Sequence, residues 1–394
     1  MRFSKEIFII LIIQITEVLG FSLILPFLPI YAQKMGASPL EIGLILTSFS
    51  FFQFFSAPIM GKLSDRYGRR PLLILSQIST MIGFIVLAYS NTIGLIFLSR
   101  AIDGIFGSNF TIAQAYLSDI SSKKDRSKVF GISGIAFGLG FLIGPAIGGY
   151  LGQFGLIYPS LLAAGFSLLT IFLTFFLLPE TVKKKDQEKK LDLKIIDIKS
   201  LTKYFSDKKI SPKLMHFFTY ILAHVIWTST FSLYAVKQLG MNTFQIGLSL
   251  AGVGLVSVLI RGFLLPKLID IFGEKKLLTS GVLLFTVSLF LTAFITEIWM
   301  FSTLLILFSL GSGLSRPLLN GAISRSASED EQGAIMGVSS SLGSMAQMLG
   351  PLIGGYLLTN FHSGSLGITA SLIMGTGAIF IIKDYYKNGL SLHK

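Results

Sequence analysis

Gly144-Pro-Ala-Ile-Gly-Gly-Tyr-Leu151 returns as Gly350-Pro-Leu-Ile-Gly-Gly-Tyr-Leu357, 206 positions further on, with only its third residue changed. The same offset pairs Ser118 with Ser324, Gly131 with Gly337 and Ser133 with Ser339. Upstream, KLSDRYGRRPLL (Lys62 to Leu73) parallels KLIDIFGEKKLL (Lys267 to Leu278) at an offset of 205, which aligns Asp65 with Asp270 and Gly68 with Gly273. Chance does not supply two such matches in the same order, so the chain repeats one structural unit in tandem. Gly140, Gly144, Gly148 and Gly149 leave a smooth face where helix backbones can approach, and Pro145 removes a backbone donor and can kink that helix. Tight helix packing accounts for this spacing by itself.

Around these motifs the residues are apolar in blocks of about 20, the length that crosses a hydrocarbon core of roughly 30 Å. Of the 394 residues 52% are hydrophobic and 13% charged, whereas a soluble domain carries about 25% charged residues. The blocks lie near 7–31, 41–60, 72–90, 92–117, 128–152 and 157–178, then 213–236, 244–265, 277–295, 298–322, 332–358 and 365–383. A β-barrel would instead show alternating segments of about ten residues. The expected fold is an all-α membrane protein of 12 transmembrane helices in two pseudo-symmetric six-helix bundles. Residues 1–180 form the first bundle, 181–211 a cytoplasmic linker and 212–394 the second bundle. The opening Met1-Arg-Phe-Ser-Lys5 looks like the start of a signal peptide, but the apolar run behind it continues to about Ala32 and holds Glu17. That is too long for a leader, and it reads as a retained first span.

With an even number of spans, alternate loops share a side. Every loop lysine and arginine falls on one of the two sides except Lys34 and Lys237. The positive-inside rule therefore places both termini and the central loop in the cytoplasm of a cell whose inner membrane holds the chain. A net charge of +13 distributed in this way is a topology signal, and no nucleic-acid partner is expected. The stretch KKKDQEKKLDLKIIDIKS (Lys183 to Ser200) alternates basic and apolar residues like a helix lying on anionic lipid, and equally reads as a solvated linker.

Ionisable groups inside the spans are the sharpest chemical signal, because each costs about 2.5 to 3.5 kcal/mol near a helix centre. Glu17 lies ten residues into the first span, roughly 15 Å deep. It is a candidate proton carrier, or else a carboxyl that holds a neighbouring helix by a hydrogen bond. Arg100 and Asp103 are three apart on the fourth span and can neutralise each other permanently, or can be parted by substrate or proton. Arg316 precedes Pro317 near the end of the tenth span, where gating and snorkelling anchorage are both open. Polar stripes accompany these charges. Gln14, Glu17 and Phe21 share a face of the first span, and Arg100, Asp103, Gly107, Thr111 and Gln114 share one of the fourth. Ser309, Ser312, Arg316 and Asn320 do so on the tenth, and Tyr220, His224, Trp227, Phe231 and Tyr234 on the seventh. The aromatic stripe reads as packing or as a binding wall, and His224 as a core histidine or a lining one. Rings beside a buried carboxylate suit amphipathic, often cationic, organic compounds.

Gly61-Lys-Leu-Ser-Asp65-Arg66-Tyr-Gly68-Arg69-Arg70 resembles the signature between helices 2 and 3 of the major facilitator superfamily, and Gly140 to Gly149 (GFLIGPAIGG) resembles the helix 5 signature of its drug/proton antiporters. With RAIDG (Arg100 to Gly104), AYLSDISSKKDRSKVFG (Ala115 to Gly131) and TEVLGFSLILPFLP (Thr16 to Pro29), nearly the whole chain is similar to the branch of tetracycline/proton antiporters and multidrug exporters. The resemblance implies a cavity lined by spans 1, 4, 7 and 10, a helix 5 that controls leakage, and a cytoplasmic latch. In that latch Asp65 docks on the N-terminal dipole of helix 11, while Asp119 pairs with one of Arg66, Arg69 and Arg70. Glu17 occupies the place of an acidic residue in the tetracycline antiporters. Those exporters also carry acidic residues in the third and ninth spans, where this chain has apolar or small residues such as Gly83. Tetracycline itself is therefore not the expected substrate, and the stoichiometry stays open.

The chain holds no cysteine, no GxxxxGK[ST] phosphate loop and no HExxH, so no metal, nucleotide or other cofactor is expected, and no enzyme. The expectation is a monomer that exports small organic compounds in exchange for protons by alternating access. A sugar or amino-acid symporter or uniporter and a transporter-like membrane sensor are the competing readings.

Overall fold

The computed structural model describes residues 5–121, 126–182, 198–327 and 331–387. Arg2, the basic residues Lys123 and Lys124, most of the Lys183 to Ser200 stretch and the tail from Asn388 to Lys394 lie outside them.

Among the described residues there are sixteen α-helices and no strand. They fill all twelve expected spans. The first is α1 (Lys5–Ile24) with α2 (Leu28–Lys34), interrupted where Pro26 removes a backbone donor. Then come α3 (Pro39–Tyr67) and α4 (Arg69–Ala88). The fourth span is α5 (Ile93–Phe106) with α6 (Asn109–Ile120), and α7 (Arg126–Gly152) and α8 (Ile157–Leu177) complete the first six. After the short α9 (Ile198–Ser206), α10 (Ser211–Leu239) is the seventh span. The eighth is α11 (Thr243–Leu259), a π-helical turn (Ile260–Leu264) and α12 (Leu265–Phe272). α13 (Glu274–Leu291), α14 (Ile298–Ser324), α15 (Gln332–Asn360) and α16 (Ser365–Lys387) follow.

Eight of these spans are helices long and apolar enough to cross a membrane. Of the other four, three differ for visible reasons: the fourth carries Arg100 and Asp103 and breaks at Gly107, the seventh carries Lys213, His216 and His224, and the eleventh is rich in serine; the twelfth holds no charged residue from Ser365 to Ile382. Arg100, Asp103 and His216 are buried, so they face protein rather than lipid.

The helices cluster into two compact units. The first holds Met1–Ala37, Ser48–Ile195 and Met241–Gly254, and the second holds Ser38–Thr47, Ile196–Gly240 and Leu255–Lys394. In the first, α1 packs on α7 and α8, and α4 on α8 and α5; in the second, α10 packs on α15 and α16, and α13 on α14 and α16. Repeat partners thus meet repeat partners.

The duplicated glycines explain why. A Cβ on Gly140 would meet Val18 Cγ1 at 2.6 Å, and one on Gly144 or Gly148 would run into Ser22 or the Leu23 carbonyl of α1. On α15, a Cβ on Gly350 would meet Val225 Cγ1 at 2.5 Å, and one on Gly354 would meet Thr230 Cγ2 of α10 at 2.6 Å. Gly149 presses on Gly247 of α11 inside the first unit, its missing Cβ 2.9 Å from Gly247 Cα, and Gly355 presses on Pro39 and Leu40 inside the second. Without side chains at these positions the backbones touch, and close contact between helices is what dispersion favours in a membrane.

Candidate functional site

Inside the first unit the ionisable residues within the spans form one hydrogen-bonded chain across five helices, α1, α4, α5, α6 and α8. Arg100 Nη1 lies 3.3 Å from Asp103 Oδ2, with both side chains almost wholly buried at 3% and 4% exposure. The Thr80 hydroxyl of α4 donates to Asp103 Oδ1 at 2.8 Å. Asn109 Nδ2, at the start of α6, donates to Thr80 Oγ1 at 3.0 Å and to Glu17 Oε2 at 2.7 Å. Thr170 of α8 donates to the other oxygen, Oε1, at 2.7 Å. Arg100 also lies over the Phe84 ring, 5.6 Å from its centroid. Buried charges are tolerated only when paired and hydrogen-bonded in this way.

The break in the fourth span makes the chain possible. Gly107 N–H bonds back to the Asp103 carbonyl at 2.6 Å, and Gln53 Nε2 donates to the Gly107 carbonyl at 3.0 Å. Six residues along an unbroken helix would point Asn109 away from Asp103. With the turn interrupted, both serve the same network. The single stripe expected from Arg100 to Gln114 is therefore divided: Arg100 and Asp103 belong to α5, Thr111 and Gln114 to α6. Gln114 Nε2 donates to Ser133 Oγ at 2.8 Å, which donates in turn to Gln14 Oε1 at 2.8 Å. Thr111 is exposed beside Gly61, and Phe21 packs between Phe49 and Phe141 at centroid distances of 5.9 and 6.3 Å.

A second cluster sits at the α3–α4 turn. Gly68 has φ +108°, a conformation side chains other than glycine rarely adopt, and Gly273 repeats it at φ +75° in the equivalent turn before α13. Arg69 pairs with Asp65 and, through Nε at 2.9 Å, with Asp119, and its Nη1 donates to Ser64 Oγ at 2.7 Å. Of the three arginines expected near Asp119, Arg69 is the one that binds it. Arg66 lies over the Tyr67 ring at 5.5 Å, and Arg70 donates to the Phe175 carbonyl. Glu180 closes the cluster by accepting from the backbone N–H groups of Arg69 at 2.9 Å and Arg70 at 3.1 Å, at the open N-terminus of α4.

In the second unit the aromatic stripe of α10 divides. Trp227 and Phe231 are buried and pack on one another at 6.2 Å, with Trp227 on Tyr234 at 5.0 Å and Phe231 on Phe301 at 5.3 Å. Tyr220 is also buried and donates to the Ser312 carbonyl at 3.2 Å. His224 and Asn320 are half-buried, and Arg316 is exposed.

Sequence reasoning passed over Thr80, Asn109, Thr170, Ser133 and Glu180. A lone threonine in a span most often bonds its own helix, as Thr286 does to the Val282 carbonyl at 2.8 Å, so Thr80 and Thr170 gave no signal. Glu180 stood in plain view behind an apolar block, in Leu178-Pro-Glu180.

Membrane-length helices packed twice over in one pattern, with an ion pair buried inside one of them, define a polytopic membrane transporter. Residues 10–268 and 260–390 match the family model of the Major Facilitator Superfamily, and the chain belongs to that family. It is 31% identical over 350 residues to the class B tetracycline resistance protein of Escherichia coli, covering 88% of this chain and 86% of that protein. It is 27% identical over 406 residues to multidrug resistance protein 2 of Bacillus subtilis, covering 99% and 98%. A crystal structure of the nucleoside transporter NupG superposes with a TM-score of 0.80 at 14% identity, covering 97% of this chain and 100% of that one, and so shares the fold.

Proposed function

We propose that this transporter exports small amphipathic organic compounds in exchange for protons, by alternating access, as a monomer in the cytoplasmic membrane with both termini inside. The observation that carries the reading is the chain from Glu17 through Asn109 and Thr80 to Asp103 and Arg100. Ionised, Glu17 accepts from both Asn109 and Thr170. Protonated on Oε2, Glu17 donates there instead of accepting, and Asn109 Nδ2, which pointed at that oxygen, turns away. Because Asn109 also holds Thr80, that turn reaches the Asp103–Arg100 pair. Glu17 is then the proton carrier and the pair its electrostatic partner.

Asp65, Arg66, Arg69, Arg70 and Asp119, with Gly61 and Gly68 shaping the turn, serve as the cytoplasmic latch. Gly140, Gly144, Pro145, Gly148 and Gly149 keep α7 tight against leakage. Gln14, Phe21, Gly107, Thr111, Gln114, Tyr220, His224, Trp227, Phe231, Ser312, Arg316 and Asn320 belong to the lining or to the layer that supports it. The drug-resistance names of the relatives support export. Gly83 has neighbours close by, since a Cβ there would meet Ser99 O at 3.1 Å and Asp103 Cβ at 3.2 Å. That leaves little room for an acidic side chain at this place and keeps tetracycline from being the preferred candidate.

Proteoliposomes holding a pH gradient test the proposal. In the wild type at least one compound of an amphipathic panel should release protons, and Glu17→Gln should abolish that release while still inserting in the membrane. Accumulation without proton movement points to a facilitator, and silence toward every compound sinks the exporter reading.

A further inference from the structure

The second unit holds two membrane-embedded arginines that no acid meets among the described residues. No aspartate or glutamate occurs between Asp207 and Asp270, or between Glu297 and Glu329, so α10, α11, the π turn and α14 contain none. Arg261 lies in the π turn and Arg316 in α14, and neither has an ion pair among the described residues. In the first unit, by contrast, Arg100 is paired with Asp103.

The two arginines converge. Ile260, which opens the π turn, is buried against α14, where a Cβ on Gly313 would meet its side chain at 3.2 Å. Arg261 is the next residue, and Arg316 stands three positions after Gly313, on nearly the same helix face. Both guanidinium groups act electrostatically on Tyr220 and His224, and on each other. Tyr220 is held by Ser312, and His224 lies between Phe285 and Phe308 at 6.0 and 5.5 Å, so the cations adjoin a wall of rings. Both arginines are exposed.

We infer that Arg261 and Arg316 form a subsite for the anionic group of an organic substrate whose apolar body rests on the half-buried His224 ring, which the buried Tyr220, Phe285 and Phe308 rings support from behind. Like charges held together repel, and an anion between them removes that cost while gaining forked hydrogen bonds. Anchorage at the interface accounts for Arg316 alone. Arg261 is about 16 Å along the helix from Phe272, too deep for that role. Arg261 also lies within a π turn, an irregularity frequent at functional sites.

The inference deepens the exporter reading by naming its substrate class, and binding tests it without flux. Full-length protein in uncharged detergent is titrated calorimetrically with naphthoate, naphthamide and naphthylmethylammonium. Naphthoate should bind about tenfold or more tighter than the amide, as a charge-assisted hydrogen bond provides. The double variant Arg261→Gln/Arg316→Gln should lose that preference with amide affinity unchanged, and Arg261→Lys/Arg316→Lys should keep most of it. If the double glutamine variant does not fold, each single glutamine variant should show a reduced preference. Equal binding of all three probes by the wild type overturns the inference, as does a preference that survives the glutamine substitutions. Displacement of naphthoate by phosphatidylglycerol would assign the subsite to lipid and also overturn it. A chain that prefers the carboxylate but moves no protons sinks only the exporter reading.

Discussion

Glu180 ties the end of the sixth span to the start of the third. Its carboxylate accepts from the N–H groups of Arg69, Arg70, Thr181 and Val182, and occupies the space a Cβ on Gly68 would need. A carboxylate at a helix N-terminus satisfies orphan donors and complements the dipole. Glu180→Ala should therefore destabilise the protein by about 1 kcal/mol, read as a lower thermal-unfolding midpoint of the purified protein, and an unchanged midpoint would refute the capping role. Neighbouring Arg69 is held from three sides, by Asp65, Asp119 and Ser64. Local sequence gathers most of these charges in one loop but leaves open which acid takes which arginine, since that depends on where α6 ends beside α3.

At the scale of the helix, the repeated glycines work through backbone contact. Gly148→Ala would drive a methyl group into the Leu23 carbonyl and the Phe27 ring, both fixed parts of the first span. Overpacking of this kind costs about 1 to 3 kcal/mol. Gly134→Ala on the same helix meets nothing within 4 Å and should be neutral or stabilising by up to about 1 kcal/mol, because alanine favours the helix. Thermal unfolding of the two variants side by side checks the contrast, and equal loss in both would refute it. The two interrupted spans make a parallel point. The fourth breaks at Gly107 and the eighth passes through a π turn at Ile260–Leu264, and in each an arginine lies in or before the irregularity. Each irregularity holds a glycine, Gly107 and Gly262, but a lone glycine is tolerated within a helix and announces neither.

For the whole molecule, topology is the property open to the simplest test. The chain has no cysteine, so single cysteines can be read without background. Lys34→Cys and Lys237→Cys should react with a membrane-impermeant thiol reagent in intact cells, whereas Lys62→Cys and Lys209→Cys should react only after permeabilisation; the reverse pattern would overturn the orientation. Much of the architecture was legible in the chain alone. Span length follows from bilayer thickness, the repeat follows from two duplicated motifs, and the family from their wording, because each is written in consecutive residues. The buried charges were visible for the same reason, since an acid or arginine stands out in an apolar block. What only the tertiary structure decided is who partners them. Glu17 meets Asn109 and Thr170, from spans four and six. Those partners come from helices distant in sequence, brought together by glycine-lined packing and by breaks that change where a helix points. No local pattern records that, because the energy that sets it lies between helices and not along one.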